Sequence, residues 1–313
     1  MKCSLKLISI FSIYCYSLTS CDFIEREEVI SPPATSNSAV SKESFKTQPQ
    51  VKDFNSDSLL IDTNVVSFVQ DTNVNVKEIS DEFSFTDHYE TQSGITIDWI
   101  NKNNARIPKM GELLMLEYRL SLPDGKIIDG NNRMKMPYLP FVLGYNMQNK
   151  GWDEALSLMS VGDLAQVKIP AYLAYGKKGL GTLIPPDSEN WLFVKLHGIV
   201  SPSRDSLGIK IWELRSGKSH ESDKISKVKF HMIASTETKA NIFNTYTSNF
   251  PVTYTPGQRN YPKGLREVLN NARIGQHLFV ILDPNMAFGK EGYLDLVRPN
   301  EAVFYNLKIL EIN

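Results

Sequence analysis

The sequence predicts an α+β chain made of two similar domains behind a long N-terminal tether. Three observations carry this. From about residue 88 onward, short apolar stretches of strand character are bounded by turn residues, with one brief helical pattern among them. The same order of elements returns 113 residues later, from Lys150 to Lys263. Residues 22–87 show no sustained period of either kind and are acidic and Ser/Thr/Asn/Gln-rich.

The N-terminus has the form of a targeting segment. Lys2 and Lys6 precede an apolar run from Leu7 to Leu18, too short to cross a bilayer comfortably. The run ends in Leu18-Thr19-Ser20-Cys21, which resembles the bacterial lipobox, where cleavage precedes an acylated cysteine. Residues 1–20 are therefore expected to be a lipoprotein signal peptide, with Cys21 the lipidation site. An ordinary signal peptide followed by an unmodified cysteine is the plainer alternative. All three cysteines (Cys3, Cys15, Cys21) lie here, so cleavage leaves no disulfide framework and no cysteine metal site. Several acyl chains on one residue give firm anchoring, at about 0.8 kcal/mol per buried CH₂. The expected location is the cell envelope, on the periplasmic face of a bacterial membrane, the outer one preferred.

Residues 21–87 form the tether. Positions 22–90 carry fourteen Asp/Glu against five Lys/Arg, although the whole chain has a net charge of only -1. Such a stretch buries too little apolar surface to offset the entropy of ordering it. Leu59–Val69 is more apolar and is left open as a strand or a docking segment. The net charge of -1 argues against a nucleic-acid binder, which would show a basic excess or stripe, although the chain from residue 91 is mildly basic.

The first domain is expected over 88–202. Leu113 to Leu122 reads as a strand ending in the turn Pro123-Asp124-Gly125, and Phe141–Leu143 and Leu164–Ile169 read as further strands. Trp152, Ala155, Leu156 and Met159 fall at helical spacing. A helix of two turns does not persist alone, so its apolar face must lie on a sheet. Trp191–Ile199 closes the unit. Ser201-Pro202-Ser203 and a polar stretch give an expected linker over 203–222. The second domain, 223–313, repeats the order. Lys263-Gly264-Leu265 echoes Lys150-Gly151-Trp152, Arg273-Ile274-Gly275 echoes Ser160-Val161-Gly162, and Pro284–Gly289 echoes Pro170–Gly176. A constant offset of this length marks repeated domains rather than a solenoid.

Taken in order, residues 90–199 resemble the FKBP-type peptidyl-prolyl isomerases. The motifs are Asp124-Gly125-Lys126-Ile127-Ile128-Asp129, Phe141-Val142-Leu143-Gly144, Gly151-Trp152-Asp153-Glu154, Met159-Ser160-Val161-Gly162, Ala174-Tyr175-Gly176 and Ile184-Pro185-Pro186, with Tyr118 at the family's pocket tyrosine. The resemblance implies a curved antiparallel sheet wrapped around the short helix in each domain, with an apolar pocket between sheet and helix. It implies Tyr118, Asp129, Trp152 and Tyr175 as the catalytic set, with Trp152 as the pocket floor and the Tyr175 hydroxyl donating to a substrate carbonyl. Ile128, Leu139 and Leu192 become walls and Leu180 a rim residue. The Asn149 N–H is a ligand donor, and Gln148 lies beside it at the mouth. It implies no cofactor and no metal, and the five histidines are scattered without ligand spacing. Implied partners are proline-containing unfolded or nascent envelope proteins, the membrane through acylated Cys21, and macrolide inhibitors.

Each site residue also has a plain structural explanation. Trp152 could be ordinary helix core, Tyr118 strand packing and Asp129 a turn residue. Two features depart from the family pattern. Gln148-Asn149 replaces an apolar pair before the helix, and Leu139 stands where an aromatic is usual. In the second domain Leu265 takes the Trp152 position and Phe288 the Tyr175 position, while Asn244 falls near the Asp129 position. Core positions persist there while polar ones vanish, which describes a retained fold with a degenerate site. Two functions remain open on the sequence. One is an isomerase assisting envelope-protein folding. The other is a non-catalytic tethered chaperone or assembly adaptor that binds polypeptide clients.

Overall fold

A computed structural model describes residues 84–131, 137–219 and 225–313. The expectations for the signal peptide, for Cys21 and for the tether as far as residue 83 lie outside the described residues.

Two sheets of seven strands share one topology. The first is built from β1 (Asp87–Glu90), β2 (Thr96–Asn101), β3 (Leu113–Ser121), β4 (Ile127–Gly130), β5 (Leu139–Val142), β6 (Leu164–Ile169) and β7 (Asn190–Val200). Its order is β1-β2-β6-β7-β3-β4, with β5 also on β3, and every pairing is antiparallel. The second is built from β8 (Arg204–Ser206), β9 (Ile209–Arg215), β10 (Val228–Ser235), β11 (Phe243–Asn244), β12 (Val252–Tyr254), β13 (His277–Leu282) and β14 (Val303–Ile312). Its order is β8-β9-β13-β14-β10-β11, with β12 on β10. Strand for strand, this is the first sheet again.

Among the described residues each sheet has one α-helix lying on it: α1 (Lys150–Leu156) and α2 (Lys263–Asn270). Gly151, Trp152, Ala155 and Leu156 are the buried face of α1, and Gly264, Leu265, Val268 and Leu269 that of α2. The shared spacing puts all four on one stripe. The glycine lets each helix lie close to its sheet. A Cβ at Gly151 would sit 2.2 Å from Ile169 Cγ2, and one at Gly264 would sit 2.6 Å from Leu282 Cδ2.

The 203–222 stretch, expected as a linker, holds two strands of the second sheet. Ile209 and Trp212 are buried, and β9 pairs with β13 from Ile209↔Leu282 to His277↔Arg215. Only residues 201–203 separate β7 from β8. The polar flanks on either side of Ile209–Leu214 hid a strand that pairs with β13 on one side and β8 on the other.

Each sheet and its helix enclose a core. A third apolar cluster joins the two: Leu113, Val142 and Tyr145 from the first unit meet Trp212, Phe279, Ile281 and Phe304 from the second. β13 is apolar from Leu278 to Leu282 because both faces are covered there. Leu278, Val280 and Leu282 face the second core, while Phe279 and Ile281 face the junction.

Candidate functional site

Trp152 is placed by the start of α1. Asn149 is the N-cap, with extended backbone, and its Oδ1 accepts the Trp152 N–H at 3.3 Å. The indole meets the Tyr118 ring edge-on at 5.1 Å between centroids and lies nearly parallel to Phe141 at 6.0 Å. Tyr118 comes from the middle of β3, and its hydroxyl donates to Asp129 Oδ2 at 3.0 Å across the β3–β4 pair. Ile128 and Leu192 are buried in the same cluster, while Leu139, Tyr175 and Leu180 are half-buried against it. Thus Trp152 meets Tyr118 and Tyr118 meets Asp129, while Ile128 and Leu192 belong to the same core and Leu139, Tyr175 and Leu180 pack against it.

The loop between β6 and β7 is held by its own backbone. Leu180 and Ile184 form an isolated bridge, and the Asp187 N–H donates to Gly176 O at 2.8 Å. Gly179 has φ +64°, and a Cβ there would stand 2.2 Å from Ile184 O. Only glycine fits that turn.

Three details were not foreseen. First, the indole of Trp152 is only 2% exposed, so the expected floor is nearly closed over. Second, Asn149 is 7% exposed and its side chain is spent on the helix cap, not offered at an open mouth. Its Nδ2 is buried with no hydrogen-bond partner. Gln148 is half-buried. Third, sequence reasoning passed over Asn131, which is buried. Its Oδ1 accepts the Tyr118 N–H at 2.5 Å and its Nδ2 donates to Leu116 O at 3.3 Å, fixing the strand that carries the tyrosine. An asparagine two residues after Asp129, just past a strand, was the available signal.

Asp153, beside Trp152, accepts the N–H groups of Gly144 at 2.6 Å and Asn146 at 3.1 Å. Burial pushes its pKa up to about 6, outweighing these two donors, which act in the opposite direction.

Strand register gives the second unit's corresponding residues. Leu120 pairs with Leu192 and Asp129, and Ala234 pairs with Tyr305 and Phe243. Tyr118 pairs with Val194, and Met232 with Leu307. The Asp129 position is therefore held by Phe243, with Asn244 one residue further along β11. The set Met232, Phe243, Leu265 and Phe288 replaces Tyr118, Asp129, Trp152 and Tyr175. The β13–β14 loop repeats the first unit's geometry, with a Tyr293–Val297 bridge and an Asn300 N–H to Gly289 O bond of 2.8 Å. Phe288 stacks on Tyr293 at 4.8 Å.

This pair of sheet-and-helix units defines a tandem-domain protein. The FKBP-type peptidyl-prolyl cis-trans isomerase family matches residues 104–197 and again residues 218–310, and the chain belongs to that family, with two FKBP domains. It is 25% identical over 208 residues to peptidyl-prolyl cis-trans isomerase FKBP10 of Homo sapiens, a match covering 66% of this chain and 35% of that protein. The chain thus spans about a third of the length of the mammalian relatives it matches. It is 30% identical over 95 residues to FK506-binding protein 1 of Dictyostelium discoideum, covering 30% of this chain and 88% of that one. The crystal structure of the three FKBP domains of wheat FKBP73 covers 73% of this chain and 99% of that chain, at 16% identity and a TM-score of 0.36.

Proposed function

We propose that this chain is a peptidyl-prolyl cis/trans isomerase that turns over substrate in its first domain only. The observation that carries this is the Trp152–Tyr118–Asp129 corner, an aromatic group with one polar edge set in an otherwise apolar wall. A prolyl amide resists rotation by roughly 18–20 kcal/mol because its C–N bond has double-bond character. The charge-separated resonance form behind that stiffness is stabilised by water and not by apolar surroundings. Drawing the amide out of water and holding it twisted lowers the barrier, and each ~1.4 kcal/mol gives a factor of ten in rate.

In this reading the proline ring rests on Trp152 between Ile128, Leu139 and Leu192. Tyr175 and the Asn149 N–H hold substrate carbonyls, Asp129 faces the twisting bond, and Leu180 and Gln148 border the entrance. Because Trp152 is nearly closed over, the side chains around it must part to admit a ligand, which favours a slow or selective enzyme. Relatives named as FK506-binding proteins support a macrolide ligand for the same corner. Acylation at Cys21 would hold the enzyme at the envelope membrane, where proline-containing client chains fold. The second domain, lacking Tyr118, Asp129 and Trp152 counterparts of like chemistry, has no turnover of its own.

A second reading, a non-catalytic holder of polypeptide segments, draws on the exposed apolar side chains of the second unit, with Phe250 74% and Leu294 81% exposed. One assay separates the two: isomerisation of a short prolyl peptide by the full chain, with and without an FK506-type macrolide. Macrolide-sensitive turnover supports the enzyme. Client binding with turnover at the uncatalysed rate would leave only the holder.

A further inference from the structure

The loop from β5 to α1, residues 143–149, carries the Asn149 cap and one border of the candidate pocket. It is gripped from two directions. On the pocket side, the two Asp153 oxygens take the N–H groups of Gly144 and Asn146. On the far side the second domain holds it. Asn146 Nδ2 donates to Thr236 O at 2.8 Å and Glu237 O at 3.0 Å, and Ser235 Oγ donates to Tyr145 O at 2.6 Å. The Tyr145 ring lies 5.9 Å from that of Phe304.

Asn146, Ser235, Tyr145 and Thr236 are buried, so the bonds to the Thr236 and Tyr145 carbonyls are shielded from water and their loss strands those two acceptors, while Glu237 is exposed. Asn146 also has φ +52°, a left-handed backbone that asparagine tolerates better than most residues. A short path of contacts therefore runs from the end of β10 through Asn146 to Asp153, the neighbour of Trp152. Loops at binding sites ordinarily come from the less stable parts of a fold. This one is fastened to a second domain.

We propose that the second domain is a brace for the first domain's pocket, with Asn146 and Ser235 as positioning residues that fix the 143–149 border. The inference rests on reading the Trp152 corner as the substrate pocket, and neither residue touches substrate. It assigns the second domain a task that needs its outer sheet face and no polar pocket groups. A border already in place spares the substrate the entropy of ordering it, so loosening it raises KM and leaves kcat nearly unchanged.

The test uses the full chain and compares Asn146→Gly, Ser235→Ala and the double variant with the parent. Glycine keeps the left-handed backbone and removes both amide donors, and Ser235→Ala removes the remaining bond from the other side. The double variant is expected to raise KM for a prolyl peptide roughly three- to tenfold. Hydrogen exchange at the Gly144 and Asn146 amides is expected to accelerate while both sheets stay protected. Unchanged KM with unchanged exchange would overturn the brace. So would a KM rise that comes only with lost protection throughout both sheets. A parent that neither isomerises the peptide nor binds macrolide removes the pocket reading, and the brace goes with it. An active parent with unmoved variants removes the brace alone.

Discussion

The two halves of this chain keep one topology and differ in what lines the corner between sheet and helix. Both carry the helix glycine, the same buried stripe and the same bridged loop with a left-handed glycine, at Gly179 and Gly292. At the corner the first half has a tryptophan, a hydroxyl and a carboxylate in contact, where the second has Met232, Phe243, Leu265 and Phe288. The scaffold depends on glycines and on apolar periodicity, which both halves retain. The Tyr118 hydroxyl and the Asp129 carboxylate, in contact in one half, give way to Met232 and Phe243 at the matching positions of the other.

The largest effect should come from making the first half resemble the second. Trp152→Leu keeps an apolar helix face and removes the aromatic floor. It is expected to cut kcat/KM for a prolyl peptide tenfold or more, about 1.4 kcal/mol or greater in barrier. A variant that turns over at the parent rate would place the chemistry elsewhere in the chain. Next comes the close approach of helix and sheet. Gly151→Ala should cost about 1–3 kcal/mol in chemical denaturation, because the new methyl meets Ile169 at 2.2 Å. Gly264→Ala should cost less, since it meets the tip of a leucine at 2.6 Å. Equal losses would mean that the two helices bear on their sheets alike.

A third experiment uses pH. The folded pKa of Asp153, about 6, lies above its ordinary unfolded value of 3.8, so the folded state holds the extra proton between them. The stability this group contributes is complete below about pH 4 and is lost as pH rises through about 6. The expected slope is on the order of 1–3 kcal/mol across that window, and Asp153→Asn should flatten it. Equal pH dependence in parent and variant would show that the carboxyl is better solvated than its burial implies. The smallest effect concerns the caps. Asn149→Ala should cost about 0.5–2 kcal/mol. The matching Pro262 has no side-chain cap to lose, so Pro262→Ala should change little through that route.

Much of this was legible in the sequence. The strands at Leu113–Leu122, Phe141–Leu143, Leu164–Ile169 and Trp191–Ile199, both helices and the 113-residue repeat followed from apolar periodicity and turn residues, which act locally. The ordered motifs had singled out Trp152, Tyr118 and Asp129, whose side chains meet. Three things did not. The strand at Ile209–Arg215 was masked by its Ser/Pro and Gly/Lys/Ser flanks, because a single seven-residue strand with charged residues at Lys210, Glu213 and Arg215 has too few apolar positions to outweigh its surroundings. Phe243 rather than Asn244 at the Asp129 position needed strand register, which a two-residue strand does not announce. The inward turn of Asn149 needed the cap geometry, since an asparagine reads equally well as a solvated loop residue. The apolar junction was present in the unbroken run Leu278–Leu282, but a run buried on both faces does not say what covers the second face.

That junction has a consequence for how the molecule melts. With a three-residue connection and a shared apolar cluster, neither half can unfold without exposing Leu113, Val142 and Tyr145 or Trp212, Phe279 and Phe304 to water. The protein should therefore lose its structure in a single cooperative heat transition, and either half prepared alone should be sticky and less stable than its size suggests.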